Sequence, residues 1–294
     1  MQAAFLPASS GWQWVRDGFR LFRKQPLAMY TWALVNSLLV IFAFAAQIVG
    51  PILFIALMPS VTLMSLAACK HVEADRVMLP SMWGKPLKQP GVFRKLFLMG
   101  LLYAAVSLIA GLATFLPFSA AFAEGMRIAS IENTMEPILL AIRTPLIIFT
   151  IIYVIIAALF WYAPVLVAWH GLRLTQALFF SGIACWRNKW AFLVYAATWV
   201  LIALFLDLCS GLLVYMGLSP QFASTLQIPF TIAAAGVFYC SFYPSYTACS
   251  ASTTPVRTST TATAPRHNAT RQGASALRTF TTRKPRDTNT TSIA

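Results

Sequence analysis

Residues 160–190 read FWYAPVLVAWHGLRLTQALFFSGIACWRNKW. The stretch begins inside an apolar run, meets Pro164, and leaves the run at Trp169-His170-Gly171. An amphipathic connector follows. Trp186-Arg187-Asn188-Lys189-Trp190 then leads straight into the next apolar run. Two apolar runs joined by an aromatic and basic junction are what a chain needs to turn round at a membrane surface. The expected fold class is all-α: a polytopic membrane protein with interfacial amphipathic helices on its cytoplasmic side.

Composition carries this outward to the whole chain. It is 59% hydrophobic and 10% charged, with a mean hydropathy of +0.70. A soluble domain carries about 25% charged residues, so this chain cannot cover a water-facing surface of its size. Six apolar runs are expected to span, at about 27–49, 52–68, 96–122, 144–169, 190–216 and 227–247. Each is close to the roughly 20 residues that cross a bilayer as a helix. Gly50-Pro51 breaks the first run from the second with no charge between them, which predicts a tight hairpin. The first run ends in Ala43-Phe44-Ala45, which mimics a leader cleavage site, but the chain stays apolar beyond it and the run reads as a retained span.

Three regions follow: a cytoplasmic N-terminal segment at 1–26, a membrane domain at 27–249, and a tail at 250–294. In 11–26, Trp12, Val15, Phe19 and Phe22 share one helical face, with Arg16, Arg20, Arg23 and Lys24 flanking or opposing it. That is the pattern of a helix lying in the interface, and equally of a basic, aromatic flank anchoring the first span. Trp14, Trp186, Arg187, Lys189 and Trp190 are expected to anchor at the same interface. The tail is rich in Thr, Ser, Ala, Arg and Pro and has too little apolar surface to offset its ordering entropy, so disorder is expected there.

Orientation follows from the basic residues. With the N-terminus inside, all but Arg127 and Arg143 of the 22 Lys and Arg residues fall on cytoplasmic segments. Both termini are then cytoplasmic, and the net charge of +14 serves orientation and contact with anionic lipid headgroups. No basic domain with its own fold remains for nucleic acid.

Few residues carry candidate chemistry. Pro59, Pro164 and Pro244 remove helix bonds to the carbonyls of Ile55, Phe160 and Cys240, which need a partner from a neighbouring helix or from water. The outcome is either a kink satisfied by packing or a polar cavity. Asp207 is the one acid inside an apolar run, yet lies roughly 25 Å along a helix from Trp190. It reads as an interfacial residue or as a proton or cation site. His170, at the exit of the fourth span, is an interfacial or ligand-binding histidine. Cys69, His71, Glu73 and Asp75 alternate along an expected loop, 69–95, and match no zinc spacing. No metal or cofactor is expected. The five cysteines lie in or beside apolar runs and read as packing residues. No phosphate-loop, nucleophile-elbow, zincin or dinucleotide motif occurs. The sequons at Asn268 and Asn289 fall in the tail.

A short repeat is visible. Residues Gly18–Lys24 align with Gly182–Asn188, each leading into an odd-numbered span, and each even-numbered span carries a proline towards its cytoplasmic half. Three lead-in-helix-plus-hairpin units are one reading; a common mode of membrane insertion is the other.

The motifs Trp161-Tyr162-Ala163-Pro164, Val167-Ala168-Trp169-His170-Gly171, Ala177-Leu178-Phe179-Phe180-Ser181 and Trp186-Arg187-Asn188 are family-like. So are Gly11-Trp12-Gln13-Trp14, Leu21-Phe22, Pro26, Gly50-Pro51 and Gly100-Leu101-Leu102-Tyr103. Together they resemble an uncharacterised proteobacterial multi-pass inner-membrane protein family over about residues 5–247. The resemblance implies an inner-membrane location and no particular activity. The layout alone is similar to the membrane domain attached to some glycerophosphodiester phosphodiesterases. After Tyr246 the resemblance would imply an acidic or aromatic end, where this chain has its Thr- and Arg-rich tail; a reading-frame shift near Tyr246–Ser250 is one account. The expected function is a non-enzymatic membrane-organising or partner-binding protein, with membrane lipids and an unidentified membrane protein as partners. The alternative is a small transporter or lipid-handling protein using the kinked helices and Asp207.

Overall fold

The computed structural model describes residues 4–47 and 49–250. The tail and frame-shift expectations for residues 251–294 lie outside the described residues. Everything regular among those described is helical, and six helical stretches are long and apolar enough to cross a bilayer. The helices are α1 (Ser10–Lys24), α2 (Pro26–Ala45), α3 (Val49–Glu73), α4 (Val92–Phe115), α5 (Ser119–Glu132), α6 (Glu136–Phe160), α7 (Ala163–His170), α8 (Leu174–Arg187), α9 (Lys189–Tyr215) and α10 (Pro220–Ser250). The crossings are α2, α3, α4 with α5, α6 with α7, α9 and α10.

The starts of α2, α4 and α9 and the ends of α3, α7 and α10 gather at one end, which also carries most of the basic residues. Contacts across this basic end fix the arrangement. Lys24 Nζ meets Asp75 Oδ1 at 2.8 Å, Leu6 N donates to Asn188 Oδ1 at 2.9 Å, and His170 Nε2 lies 2.7 Å from Tyr246 Oη. Buried residues cluster in the half of each span nearest this end: Met29, Trp32 and Asn36 in α2, Leu63, Leu66 and Cys69 in α3, Leu96 and Met99 in α4, Ala191 and Tyr195 in α9, and Cys240, Ser241 and Tyr246 in α10. Towards the other end the spans present Ile41, Phe44, Leu108, Ile109, Ile151, Leu201 and Phe205 outward. In a bilayer, lipid covers such side chains, so their exposure is no defect.

The core of the basic end is aromatic. Trp14 packs edge-on against Phe192 at 5.3 Å, and Trp161 stacks on Phe242 at 4.6 Å. Such pairs add about 0.5–1.5 kcal/mol beyond the area they bury.

The structure corrects the reading of 11–26. Helix α1 is amphipathic, but its apolar side is covered by α9 and α10. Gly11, Trp14, Gly18 and Leu21 are its buried stripe. A Cβ on Gly18 would come within 2.7 Å of the Ser241 backbone, so glycine is what lets α1 and α10 touch. Of the expected face, Val15 is buried and Phe22 half-buried, while Trp12 and Phe19 remain exposed at 54% and 50%.

Three boundaries also differ. Helix α3 continues to Glu73, so Cys69, His71 and Glu73 are helical and successive members point to different faces. Gly50 and Pro51 sit in the first turn of α3, where proline is tolerated because its missing N–H has no helical partner there. The stretch 123–143, left between the expected third and fourth spans, is mostly helix: α5 and the start of α6, joined through Asn133 at φ 51°. The Glu124–Arg127 pair supports that helix by its i,i+3 spacing. Two short 3-10 turns, Pro80–Met82 and Lys85–Lys88, replace a helix before α4, while α1 and α8 precede α2 and α9. Trp83, between those turns, packs edge-on against Trp32 at 4.9 Å.

Candidate ligand groove

The break between α6 and α7 shapes the site. Pro164 is buried in the first turn of α7, so it starts a helix where a kink inside one was expected. Helix α8 and the first turn of α7 supply bonds to several backbone groups around the break. Ser181 Oγ, from α8, accepts the Tyr162 N–H at 2.9 Å and donates to Ala158 O at 2.8 Å. Tyr162 O accepts from both Val165 N and Leu166 N at 3.1 Å. In α10, around Pro244, the Cys69 thiol of α3 reaches Tyr239 O at 3.9 Å. At the Pro164 break a side chain from a neighbouring helix, Ser181 of α8, bonds the Tyr162 N–H and Ala158 O.

Helix α7 stops at Gly171, whose φ of 65° suits the left-handed cap. This leaves Trp169 and His170 at the helix exit, facing the ends of α3, α8 and α10. Between these elements lies a groove of about 570 Å³. Lys70 and Arg187 supply its cationic side chains, His170 adds an imidazole, and Trp169, Phe180 and Tyr246 belong to its largely aromatic wall. Lys70 Nζ sits 4.9 Å from the Trp169 ring centroid, which holds the ammonium over an aromatic face. His170 Nε2 and Tyr246 Oη are 2.7 Å apart, and Trp169 meets Tyr246 edge-on at 5.6 Å.

A second polar centre closes the same end. Asn188 is 1% exposed and uses its whole amide. Its Oδ1 accepts from Leu6 N at 2.9 Å; its Nδ2 donates to Ala4 O and Ala184 O, each at 2.9 Å. The N-terminal segment is thereby tied to the α8–α9 junction. On α8, burial pushes the Cys185 thiol up from its ordinary range, and Cys249 beside it adds to the shift.

The remaining candidate residues separate into distinct places. Trp186 and Trp190 are exposed at 74% and 61%, and Lys189 lies over both rings at 5.0 and 5.9 Å. Arg23 stacks on Phe19 at 5.8 Å and Arg16 is exposed. Trp14 is a core residue at 2% exposure, which corrects its expected role as an interface anchor. Arg20 and Lys24 face acids, Arg20 with Glu73 at 3.7 Å and Lys24 with Asp75 at 2.8 Å. Those two acids belonged to the alternating set examined for zinc; they pair with bases instead. Asp207 is exposed on α9 and accepts from Gln227 Nε2 of α10 at 2.9 Å, far along α9 from the groove. The structure brings His170 and Arg187 to one groove, buries Pro164 in α7 outside that lining, and leaves Asp207 apart. Lys70, Trp169, Phe180 and Tyr246 were not singled out as site residues; the cue available was the aromatic and histidine exit at 169–170.

In comparison with known proteins, the chain is 32% identical over 260 residues to a probable inner membrane protein of Burkholderia thailandensis. The match covers 85% of this chain and 94% of that relative. No protein-family model and no solved structure matches the chain.

Proposed function

Because the chain belongs to the same family as this probable inner membrane protein, we propose that it is a non-enzymatic organiser of the inner membrane, gathering anionic lipid around its basic end. The supporting observation is the exposed cluster at the α8–α9 junction. Lys189, at the start of α9, is held between Trp186 and Trp190. Aromatic rings at headgroup depth with a cation above them suit an anionic leaflet, each exposed Lys or Arg contributing about 1 kcal/mol near such a surface. Positive charge at this end also supports a cytoplasmic side for it, and with it for both termini. The splayed apolar half of the bundle is then free to meet lipid or a membrane-protein partner.

The test is lipid enrichment. The full chain is extracted with its surrounding lipid in polymer-bounded discs, and co-purified phospholipids are quantified against the bulk membrane. Enrichment in anionic species is expected, together with a clear reduction in a variant carrying Arg16→Gln, Arg23→Gln and Lys189→Gln. A lipid composition equal to the bulk membrane in both proteins would reject the proposal. The alternative, transport through Asp207, has less support, since Gln227 already engages that carboxylate as an interhelical fastening.

A further inference from the structure

The groove at the α7 exit differs from the exposed basic surface. We infer that it is a discrete site for one anionic amphiphile: a phosphate- or carboxylate-headed molecule with an apolar chain. The inference deepens the proposed lipid-gathering role and rests on it.

Three features carry it. First, the groove's volume of about 570 Å³ lies within the range of small-molecule sites, roughly 300–1,000 Å³. It is formed where the ends of α3, α7, α8 and α10 meet. Second, its charges are one-sided. Lys70 of α3 and Arg187 of α8 are its cations, His170 of α7 adds a ring nitrogen, and no carboxylate lines the groove among the described residues. The nearest acid of α3, Glu73, belongs to the neighbouring cleft and faces Arg20 at 3.7 Å. An anionic head entering the groove therefore meets basic side chains without a competing carboxylate. Third, those polar groups stand on an apolar floor. Trp169, Phe180 and Tyr246 offer ring faces and edges, and Leu166 and Ile183 extend the apolar wall. A free inorganic anion would use only the rim; an amphiphile uses both parts.

The order of the parts supports the same class of ligand. Lys70 already rests over Trp169, so its ammonium is positioned before any ligand arrives. His170 is fixed by Tyr246, which restrains the ring that would face the head. Arg187 alone extends from the end of α8 as a planar fork suited to phosphate or carboxylate oxygens.

The test uses the purified full-length protein in a neutral detergent and native mass spectrometry. Dodecyl phosphate is the probe, inorganic phosphate the head-only control, and lysophosphatidylcholine the zwitterionic control. One dodecyl phosphate per chain is expected at low occupancy. Inorganic phosphate in tenfold excess should not displace it, and lysophosphatidylcholine should bind at least about tenfold more weakly. The pair Lys70→Gln and Arg187→Gln should weaken the probe at least about tenfold, from the loss of two charged hydrogen-bonding partners. Arg16→Gln with Arg23→Gln, outside the groove, should leave it unchanged. Displacement by inorganic phosphate, equal binding of the zwitterion, or unchanged affinity in the groove variant would each overturn the inference. A photoreactive dodecyl phosphate on the wild-type protein gives a result independent of variant folding. Crosslinks should fall at Lys70 or within residues 162–187 and 243–250, and crosslinks confined elsewhere would overturn the site. Loss of groove binding with anionic lipid enrichment intact rejects this site alone; loss of enrichment rejects the broader proposal.

Discussion

Ser181 Oγ accepts the backbone N–H of Tyr162 at 2.9 Å, closing the gap that Pro164 opens between α6 and α7. The same hydroxyl donates to Ala158 O, so a single side chain of α8 satisfies both sides of the break. Ser181→Ala leaves a buried N–H and a buried carbonyl each short of a partner. A loss of about 1–3 kcal/mol is expected, since the cost is desolvation without a replacement bond. Thermal unfolding of the detergent-solubilised protein should show a lowered midpoint, and Ser181→Thr should recover part of it. An unchanged midpoint in Ser181→Ala would mean that the break is satisfied by other means.

Asn188 holds the N-terminal segment through Ala4 and Leu6. Asn188→Ala should free residues 4–9 from the α8–α9 junction while leaving the spans in place. Amide exchange at Leu6 should rise by one to two orders of magnitude, matching about 1–3 kcal/mol of lost bonding. Protection in α9 should change little.

The contact between α1 and α10 depends on the absence of a side chain at Gly18. Gly18→Leu must push α1 off Ser241, and a loss of about 1–3 kcal/mol is expected from overpacking. Gly84→Ala meets open space and should stay within about 0.5 kcal/mol of the parent. Midpoints of thermal unfolding for the two variants separate a tight interface from a general intolerance of glycine replacement.

The Lys24–Asp75 pair is short, but Asp75 is largely exposed, with a side-chain exposure of 83%. Asp75→Asn should therefore cost at most about 1 kcal/mol, and less at high salt. The firmer hold on the loop is Gln25, whose amide donates to Arg76 O at 2.7 Å and accepts from Met78 N at 2.8 Å. Gln25→Ala should loosen residues 74–79 more than Asp75→Asn does, read as faster proteolysis of that loop.

Burial raises the Cys185 thiol above its ordinary value, so the folded protein favours the protonated form. The stabilising contribution is complete below the ordinary thiol value of about 8.5 and declines as pH rises above it. Alkylation of Cys185 at pH 8 should be at least an order of magnitude slower in the folded protein than after denaturation, followed by peptide mass mapping. Equal rates would place this thiol at the surface.

How much of this was legible depends on which forces act locally. The six crossings follow from apolar length, a property of each run alone, and the end of α7 follows from the Trp169-His170-Gly171 exit; its start at Pro164 was legible only as a kink within one span. The covering of α1 was not legible, because an amphipathic stripe declares an apolar face without saying whether lipid or protein meets it. The available cue was Gly11 and Gly18, seven residues apart beside Trp14 and Leu21, a pattern suited to close helix contact. Helix α5 lay beyond the apolar run that marks the third span, although the spacing of Glu124 and Arg127 is that of a helical pair. The groove lay furthest from view. His170 and Tyr246 are 76 residues apart, and no periodicity connects them. Only the packing of α7 against α10 does so.

The most direct test of the central claim, an inner-membrane bundle with its basic end at the cytoplasmic anionic leaflet, is the sidedness of labelling in intact cells. In a Cys209→Ser background, Gly84→Cys reports the basic end and Asn133→Cys the opposite end. A membrane-impermeant maleimide added from the periplasmic side should label the protein carrying Asn133→Cys, and the protein carrying Gly84→Cys only after the membrane is opened. Labelling of Gly84→Cys in intact cells, with Asn133→Cys protected, would contradict the account.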